Sequence, residues 1–254
     1  MSGLSEPGHA GGAFPRPGLH ERLDRVLSKL KPDLIVACYG MNDGIYHPFG
    51  EDRFKAYRDG MTLLHEKATA SGAKVLHLTS PPFDAVPIKG HTLPGGLAEY
   101  RQPYERYDDV LSRYADWLVS KRAEGWDVID IHALLRKHLD ERRARDPMFR
   151  FAGDGVHLDA NGHWRIAGEL LRHWRILDAN DAKAESTGPI FKAMAHGEEI
   201  LALVQQRQRL LKNAWLADTG HKRPGMRKGV SPAEAERQAE ETERQIRILL
   251  ASKK

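Results

Sequence analysis

The segment that most constrains the fold is an apolar run of six residues, Leu34 to Tyr39. A proline lies two residues before it, and Gly40 ends it in front of the polar residues Asn42 and Asp43. A short apolar run with β-branched and aromatic members between breaking residues predicts a buried strand of an α/β sheet. In open parallel sheets the chemistry collects at the carboxyl ends of the strands. Asn42 is therefore the first candidate site residue.

Strand-like and helix-like patterns alternate along the following sequence. Two more strands are predicted, at residues 74–79 and 126–131. Apolar residues at helical spacing predict helices before, between and after the strands. These helices are expected around residues 19–30, 51–71, 104–118, 134–139 and 161–177. This alternation requires crossover connections, so the fold class is α/β with a parallel sheet covered on both faces.

Three segments are predicted from the change in pattern along the chain. Residues 1–18 contain several Gly and Pro residues without periodicity and are expected to form a loop. Residues 19–180 form the α/β domain. Residues 181–254 carry two apolar stripes at helical spacing, which predict a helical hairpin that packs on the domain or on a protein partner. The basic segment 219–229, rich in helix breakers, lies between the two stripes.

Composition excludes several classes of protein. Charged residues make up 29% of the chain and no apolar run approaches bilayer length, so no membrane span is expected. The N-terminus lacks a charged-then-apolar signal pattern, so a cytoplasmic location is the default, with export left open for a longer form of the chain. The formal charge of +4 is mild and does not call for nucleic acid. Salt-dependent nucleic-acid binding through the basic segment remains a weaker alternative.

Cysteine and histidine usage predicts neither a disulfide nor a metal site. The single cysteine, Cys38, lies in the first strand and is expected to be a buried structural thiol. The 13 histidines form no His-Glu-x-x-His pattern, and there is no paired-cysteine spacing, so no metal or other cofactor is expected. His132 lies on a predicted helix and is expected to be solvated.

Asp154 and His157 are spaced for acid–base chemistry. A carboxylate three residues before an imidazole can hold its Nδ1–H, which fixes the tautomer and leaves Nε2 as a general base. The spacing alone is a weak signal, because Asp218 and His221 repeat it. Context separates the two matches. The first follows the last strand and opens a core helix, whereas the second lies in the basic segment.

The combination of the two patterns resembles a known family. Gly40-x-Asn42-Asp43 after a strand, followed by Asp154-x-x-His157, is similar to the motifs of the SGNH (GDSL-type) hydrolases. The likeness spans about residues 19–177. It implies an ester hydrolase on a flavodoxin-like, three-layer α/β/α fold. A small ester, an acylated carbohydrate or a lipid ester is the substrate class that it implies.

The resemblance also implies roles for individual residues. The side-chain amide of Asn42 would donate into the oxyanion hole, where such a donor contributes a few kcal/mol. Asp154 and His157 would be the acid and the base of a Ser-His-Asp triad. Gly40 belongs to the same motif, and Asp43 would brace the loop that aims Asn42.

The sequence departs from the family pattern at its N-terminal end. The family's nucleophilic serine, in a Gly-Asp-Ser block, and a second-block glycine should both precede Gly40, but the 39 residues before it contain no such block. The two strands that carry these blocks are predicted to be absent, which would leave the first strand with an exposed apolar edge. Ser80 is not expected to replace the serine, because Pro81 denies it the backbone amide of a nucleophile elbow.

Two interpretations of this departure stay open. One is a truncated start of a complete esterase. The other is a descendant completed by a partner or without catalytic activity, in which the pocket binds a ligand and residues 181–254 bind a protein partner.

Overall fold

A computed structural model describes residues 19–177, 191–192, 194–221, 225–226 and 228–252. The predicted loop at residues 1–18 lies outside these ranges. The chain divides into two compact units, with the boundary between residues 182 and 183. The first unit contains the sheet, and the second contains two long helices.

The first unit is built on a parallel sheet of three strands within the described residues. The strands are β1 (Leu34–Cys38), β2 (Lys74–Leu78) and β3 (Asp127–Ile129), in the order β1-β2-β3. Helix α1 precedes β1, α2 and α3 connect the strands, and α4 and α5 follow β3. These helices are Leu19–Leu30, Glu51–Ala70, Tyr107–Ser120, Ile131–Arg143 and Ala160–His173. Short 3₁₀ helices cover Val86–Ile88 and Lys121–Glu124.

Helices cover both faces of this sheet. Paired residues of parallel strands point to the same face, and Val128 pairs with His77, which shares a face with Val75 two residues before it. Val75 and Val128 pack against α1, α2 and α3 on this face. Leu78 and Ile129, paired in register, lie on the opposite face and pack against α5. Because parallel crossovers are right-handed, α2 and α3 lie on the same face. The predicted three-layer α/β/α arrangement is therefore confirmed.

Strand β1 lies at the edge of the described sheet. On the α5 face its Leu34 and Val36 side chains are 43% and 42% exposed, because α5 packs on β2 and β3 only. The expected apolar edge is therefore present. Cys38 is also exposed, which makes the prediction of a buried thiol wrong, since the strand that would cover it is not among the described residues.

The third strand is shorter than predicted. Asp130 is the N-cap of α4, and its carboxylate accepts a hydrogen bond from the backbone N–H of Ala133. The Thr79 hydroxyl donates to the same carboxylate oxygen at 3.0 Å. A residue whose carboxylate caps a helix is followed directly by the first helical residue, so Ile131 belongs to α4 instead of β3.

The second unit contains α6 (Gly197–Asp218) and α7 (Pro232–Ala251), which pack against each other. The Ser231 hydroxyl caps α7 by accepting a hydrogen bond from the Glu234 N–H. The predicted helical hairpin is confirmed, although part of the basic segment lies outside the described residues. Among the helices that the structure describes, none has the length and apolar character needed to cross a bilayer.

Candidate active site

The loop after β1 is held closed by its own carboxylate. Gly40 adopts a φ of 127°, which favours glycine, and its N–H donates to Asp43 Oδ2 at 3.0 Å. The Asp43 N–H donates back to the Gly40 carbonyl oxygen at 3.0 Å, and the Asp43 side chain is fully buried. A Cβ atom at Gly40 would lie 3.1 Å from Cβ of Ser80, so the loop also packs closely on the end of β2.

Two tyrosines hold the same loop, one from α3 and the other from the C-terminal part of the loop itself. The Tyr107 hydroxyl donates to the Met41 carbonyl oxygen at 2.8 Å. The Tyr46 hydroxyl donates to Asn42 Oδ1, also at 2.8 Å. The oxygen of the Asn42 amide is therefore occupied, and its N–H₂ group is the end left to donate to a ligand.

Asp154 and His157 form the hydrogen-bonded pair that the spacing indicates. His157 Nδ1 lies 2.6 Å from Asp154 Oδ2. The other carboxylate oxygen accepts the backbone N–H groups of Val156 and His157, at 3.0 and 2.8 Å. This local loop fixes the carboxylate and directs the histidine ring, so Nε2 is the nitrogen available for proton transfer.

The environment of Asp154 keeps its carboxylate ionised. Burial by itself raises the pKa, but the hydrogen bonds from His157 and the two backbone N–H groups together outweigh it and lower the pKa to about 2. The His157 side chain is 87% exposed and that of Asp154 is 56% exposed. The pair is thus oriented by hydrogen bonds while it faces solvent.

An ion pair with a buried carboxylate holds the loop that carries Asp154 and His157. Asp84, in the segment after β2, donates its N–H to the Gly155 carbonyl oxygen at 2.9 Å. Its carboxylate pairs with Arg143 at 2.5 Å, and Arg143 also donates to the Phe149 carbonyl oxygen at 3.0 Å. Through Asp84 and the neighbouring Ser80, the loop after β2 contacts both the Asp154 loop and the loop of Gly40. Both predicted motifs therefore lie at the carboxyl edge of the sheet.

No nucleophile is presented to His157 within the described ranges, where no hydroxyl or thiol lies at hydrogen-bond distance from its ring. Ser80 is buried, and its hydroxyl donates to the Pro81 carbonyl oxygen at 3.0 Å. The thiol of Cys38 lies 3.7 Å from the Thr79 carbonyl oxygen.

A Ser-His pair away from these motifs lies inside the first unit. His132 is buried, which contradicts the expected solvation, because it lies on the inner side of α4. Its Nε2 contacts the Ser112 hydroxyl at 3.1 Å, and its Nδ1 contacts the Ser80 carbonyl oxygen at 3.2 Å. Asp108 lies 3.8 Å from Nε2, on the side of the serine. A triad places its acid on the opposite nitrogen. This buried pair therefore has a structural role.

Sequence reasoning did not assign Asp84 and Arg143 to the site. They are 59 residues apart, and their contact depends on the packing of α4 against the segment after β2. A single sequence carries no signal for such a contact. Tyr46 is only four residues from Asn42, and its hydrogen bond depends on the left-handed backbone of Ile45 and Tyr46. Neither residue is a glycine, so the sequence does not indicate this conformation.

Comparisons with known proteins identify the class. Residues 9–165, more than half of the chain, match the model of the GDSL-like Lipase/Acylhydrolase family. The chain belongs to this family. It is 28% identical over 162 residues to the GDSL esterase/lipase CPRD49 of Arabidopsis thaliana. That match covers 60% of this chain and 59% of the relative, so the chain spans about three fifths of the curated relative's length.

Solved structures with similar folds include two enzymes. A catalytic mutant of Axe2, an acetylxylan esterase from Geobacillus stearothermophilus, is 18% identical with a TM-score of 0.43, over 61% of this chain and 64% of that one. BT4096, a gut microbial diltiazem-metabolizing enzyme, is 18% identical with a TM-score of 0.46, over 61% and 35% of the two chains.

Proposed function

We propose that this chain carries the oxyanion and acid–base parts of an acyl ester hydrolase. The observation that carries the proposal is the 2.6 Å contact between Asp154 Oδ2 and His157 Nδ1, on a loop at the same sheet edge as Asn42. In the proposed reaction a serine hydroxyl attacks an ester carbonyl while His157 Nε2 takes its proton. Asp154 stabilises the imidazolium that forms, and the amide of Asn42 donates to the oxyanion.

The proposed catalytic cycle then closes without a cofactor. His157 returns the proton to the departing alcohol, which leaves an acyl-serine. A water molecule then attacks this acyl group while His157 accepts its proton, and His157 returns that proton to the serine oxygen as the acyl–serine bond breaks and the carboxylic acid is released. Acetyl esters, including O-acetylated carbohydrates, are the proposed substrates, by family resemblance. Gly40 and Asp43 are assigned to support the Asn42 loop, and residues 19–180 and 181–254 are proposed as the hydrolase domain and a helical extension.

A catalytically silent binding protein is the second candidate. It is favoured by the absence, across the described residues, of a hydroxyl or thiol at hydrogen-bond distance from His157. In this alternative the Asn42 amide and the Asp154–His157 pair bind a polar ligand without turnover. The helical extension, residues 181–254, would then serve a protein partner.

One experiment separates the two candidates. The chain is expressed beside a product extended into the upstream reading frame, and both are assayed with 4-nitrophenyl acetate, butyrate and octanoate and with an acetylated xylooligosaccharide. A fluorophosphonate probe, followed by mass spectrometry, locates an activated serine. For an esterase we expect His157→Ala to lower kcat roughly a thousandfold or more.

The second Asp-x-x-His match provides the control variant. His221→Ala should leave turnover within about twofold of the unmodified protein. It removes the histidine of the second Asp-x-x-His occurrence, which lies outside the first unit. Turnover that survives His157→Ala contradicts the proposed role of His157. No turnover and no labelled serine in either product supports the binding protein.

A further inference from the structure

An asparagine that serves an oxyanion hole has to present the correct end of its amide. The N–H₂ group donates and the oxygen only accepts, so a half-turn of the amide replaces attraction by repulsion toward a developing negative charge. The backbone of Asn42 fixes the place of the amide but not which end faces the ligand. Another group must select between the two orientations.

Tyr46 makes the contact that selects one orientation. Its hydroxyl donates to Asn42 Oδ1 at 2.8 Å, and with the oxygen engaged the N–H₂ group faces away from the phenol. A phenol is a good hydrogen-bond donor, and an amide oxygen is a good acceptor. A half-turn of the amide would replace this hydrogen bond by a poorer one.

Tyr46 is itself held firmly in place. Its carbonyl oxygen accepts the Tyr104 N–H at 2.8 Å, and its ring packs 5.0 Å from the Tyr107 ring and 6.2 Å from the Phe83 ring. Ile45 and Tyr46 adopt φ values of 50° and 60°, in the left-handed region that non-glycine residues rarely enter. Such strain persists where surrounding contacts over-determine the backbone, and it clusters at functional sites.

We propose that Tyr46 is a positioning residue that fixes the Asn42 amide with its N–H₂ group toward the reacting carbonyl. The inference rests on the proposed function of Asn42. The Phe ring of Tyr46→Phe keeps the contacts with Tyr107 and Phe83 and removes only the hydroxyl. The variant therefore releases the amide while the loop stays in place.

The first test uses ¹⁵N NMR of the full chain and needs no turnover. The side-chain N–H₂ resonances of Asn42 are assigned by their loss in Asn42→Asp. We expect Tyr46→Phe to shift these resonances and to speed their exchange with water. Tyr100→Phe, which removes a hydroxyl that donates to the Pro94 carbonyl oxygen at 3.0 Å, should leave them unchanged. Unshifted Asn42 resonances in Tyr46→Phe would overturn the inference.

A reciprocal variant guards against a general effect of Tyr46→Phe on folding. Asn42→Ala keeps Tyr46 and removes its acceptor, so the ¹³Cζ resonance of Tyr46 should shift. The corresponding resonance of Tyr107, whose hydroxyl bonds to the Met41 carbonyl oxygen, should not. A Tyr46 resonance that stays in place in Asn42→Ala counts against the contact.

The second test is kinetic and uses whichever form of the protein hydrolyses 4-nitrophenyl acetate. We expect Tyr46→Phe to lower kcat roughly three- to tenfold with KM within about twofold, because the lost hydrogen bond acts through Asn42 in the transition state. Asn42→Ala should lower kcat roughly a hundredfold or more. The double variant should be no slower than Asn42→Ala, and additive losses would overturn the inference. Absence of turnover counts against the proposed function alone, since the NMR comparison decides the role of Tyr46.

Discussion

Acid should destabilise this protein through one buried histidine. His77 lies in the central strand β2 and is fully buried, with Nε2 3.0 Å from His65 Nδ1 and its ring stacked on Trp126 at 4.7 Å. Its Nδ1 has no hydrogen-bond partner in the part of the chain that the structure describes. Burial, and then the neighbouring His65, lower the pKa of His77 to about 4, against a smaller opposing effect of Asp127.

The sign of the pH dependence follows from this depressed pKa. The unfolded histidine titrates near 6.5, so between pH 6.5 and about 4 the unfolded chain binds a proton that the native chain does not. The contribution of neutral His77 to the free energy of unfolding is fully present above about pH 6.5. It falls as the pH is lowered and is lost below about pH 4. At 1.36 kcal/mol for each pH unit between the two pKa values, the loss is about 3 kcal/mol.

Urea unfolding of wild type and His77→Leu, at about pH 7.5 and about pH 4, measures this loss. His91→Gln, which changes an exposed histidine, is the control. Relative to wild type, His77→Leu should gain about 3 kcal/mol of unfolding free energy between the two pH values, whatever its cost at neutral pH. The ¹³Cε1 resonance of His77 should titrate near 4. Parallel pH curves for wild type and His77→Leu, or a midpoint near 6.5, would refute the reasoning.

Three further predictions concern the loop that carries the acid–base pair. His157→Ala should raise the pKa of Asp154 from about 2 while leaving it below the ordinary value, because the two backbone N–H bonds remain; a ¹³C carboxyl titration measures it. Any stability from this exposed pair is present above about pH 4, lost as the pH falls toward 2, and worth under about 1 kcal/mol. Arg143→Met should destabilise the chain by about 3 kcal/mol, because Asp84 keeps a buried charge without its partner, and Arg143→Met with Asp84→Asn should recover part of the loss in urea unfolding. Gly155→Ala should cost more than about 1 kcal/mol, since φ is 77° and the new Cβ would lie 2.3 Å from the Asp84 carbonyl oxygen; an unchanged melting temperature would contradict this contact.

The strands and both motifs could be predicted from the sequence because each is a local signal. An apolar run that ends at Gly40 marks β1 without knowledge of its neighbours, and the Asp154–His157 hydrogen bond closes within a single loop. The start of α4 was less predictable. Asp130 follows an apolar run and looks like part of β3, but its hydrogen bond with Thr79, 51 residues away, favours the cap.

Burial was harder to predict than secondary structure. Cys38 was expected inside and is exposed, because a strand's burial depends on its neighbour in the sheet. His132 was expected outside and is buried, because three polar partners from α3 and the segment after β2 satisfy its backbone N–H and both ring nitrogens. In both cases the side chain's own chemistry is a poor guide, since partners distant in sequence decide its environment.

The two halves of the candidate site differ in how far they are preorganised. The loop of Asn42 is fixed by a buried carboxylate, a positive-φ glycine and two tyrosine hydroxyls, so the amide needs little reorganisation for the role proposed for it. His157 is oriented through Nδ1 but remains 87% exposed. In water the field of Asp154 on His157 is screened, and removing that water would strengthen it several-fold. A segment that places a serine hydroxyl within about 3 Å of Nε2 would also cover the imidazole. In the proposed esterase, one event, the docking of such a segment, would therefore supply the nucleophile and strengthen its base together.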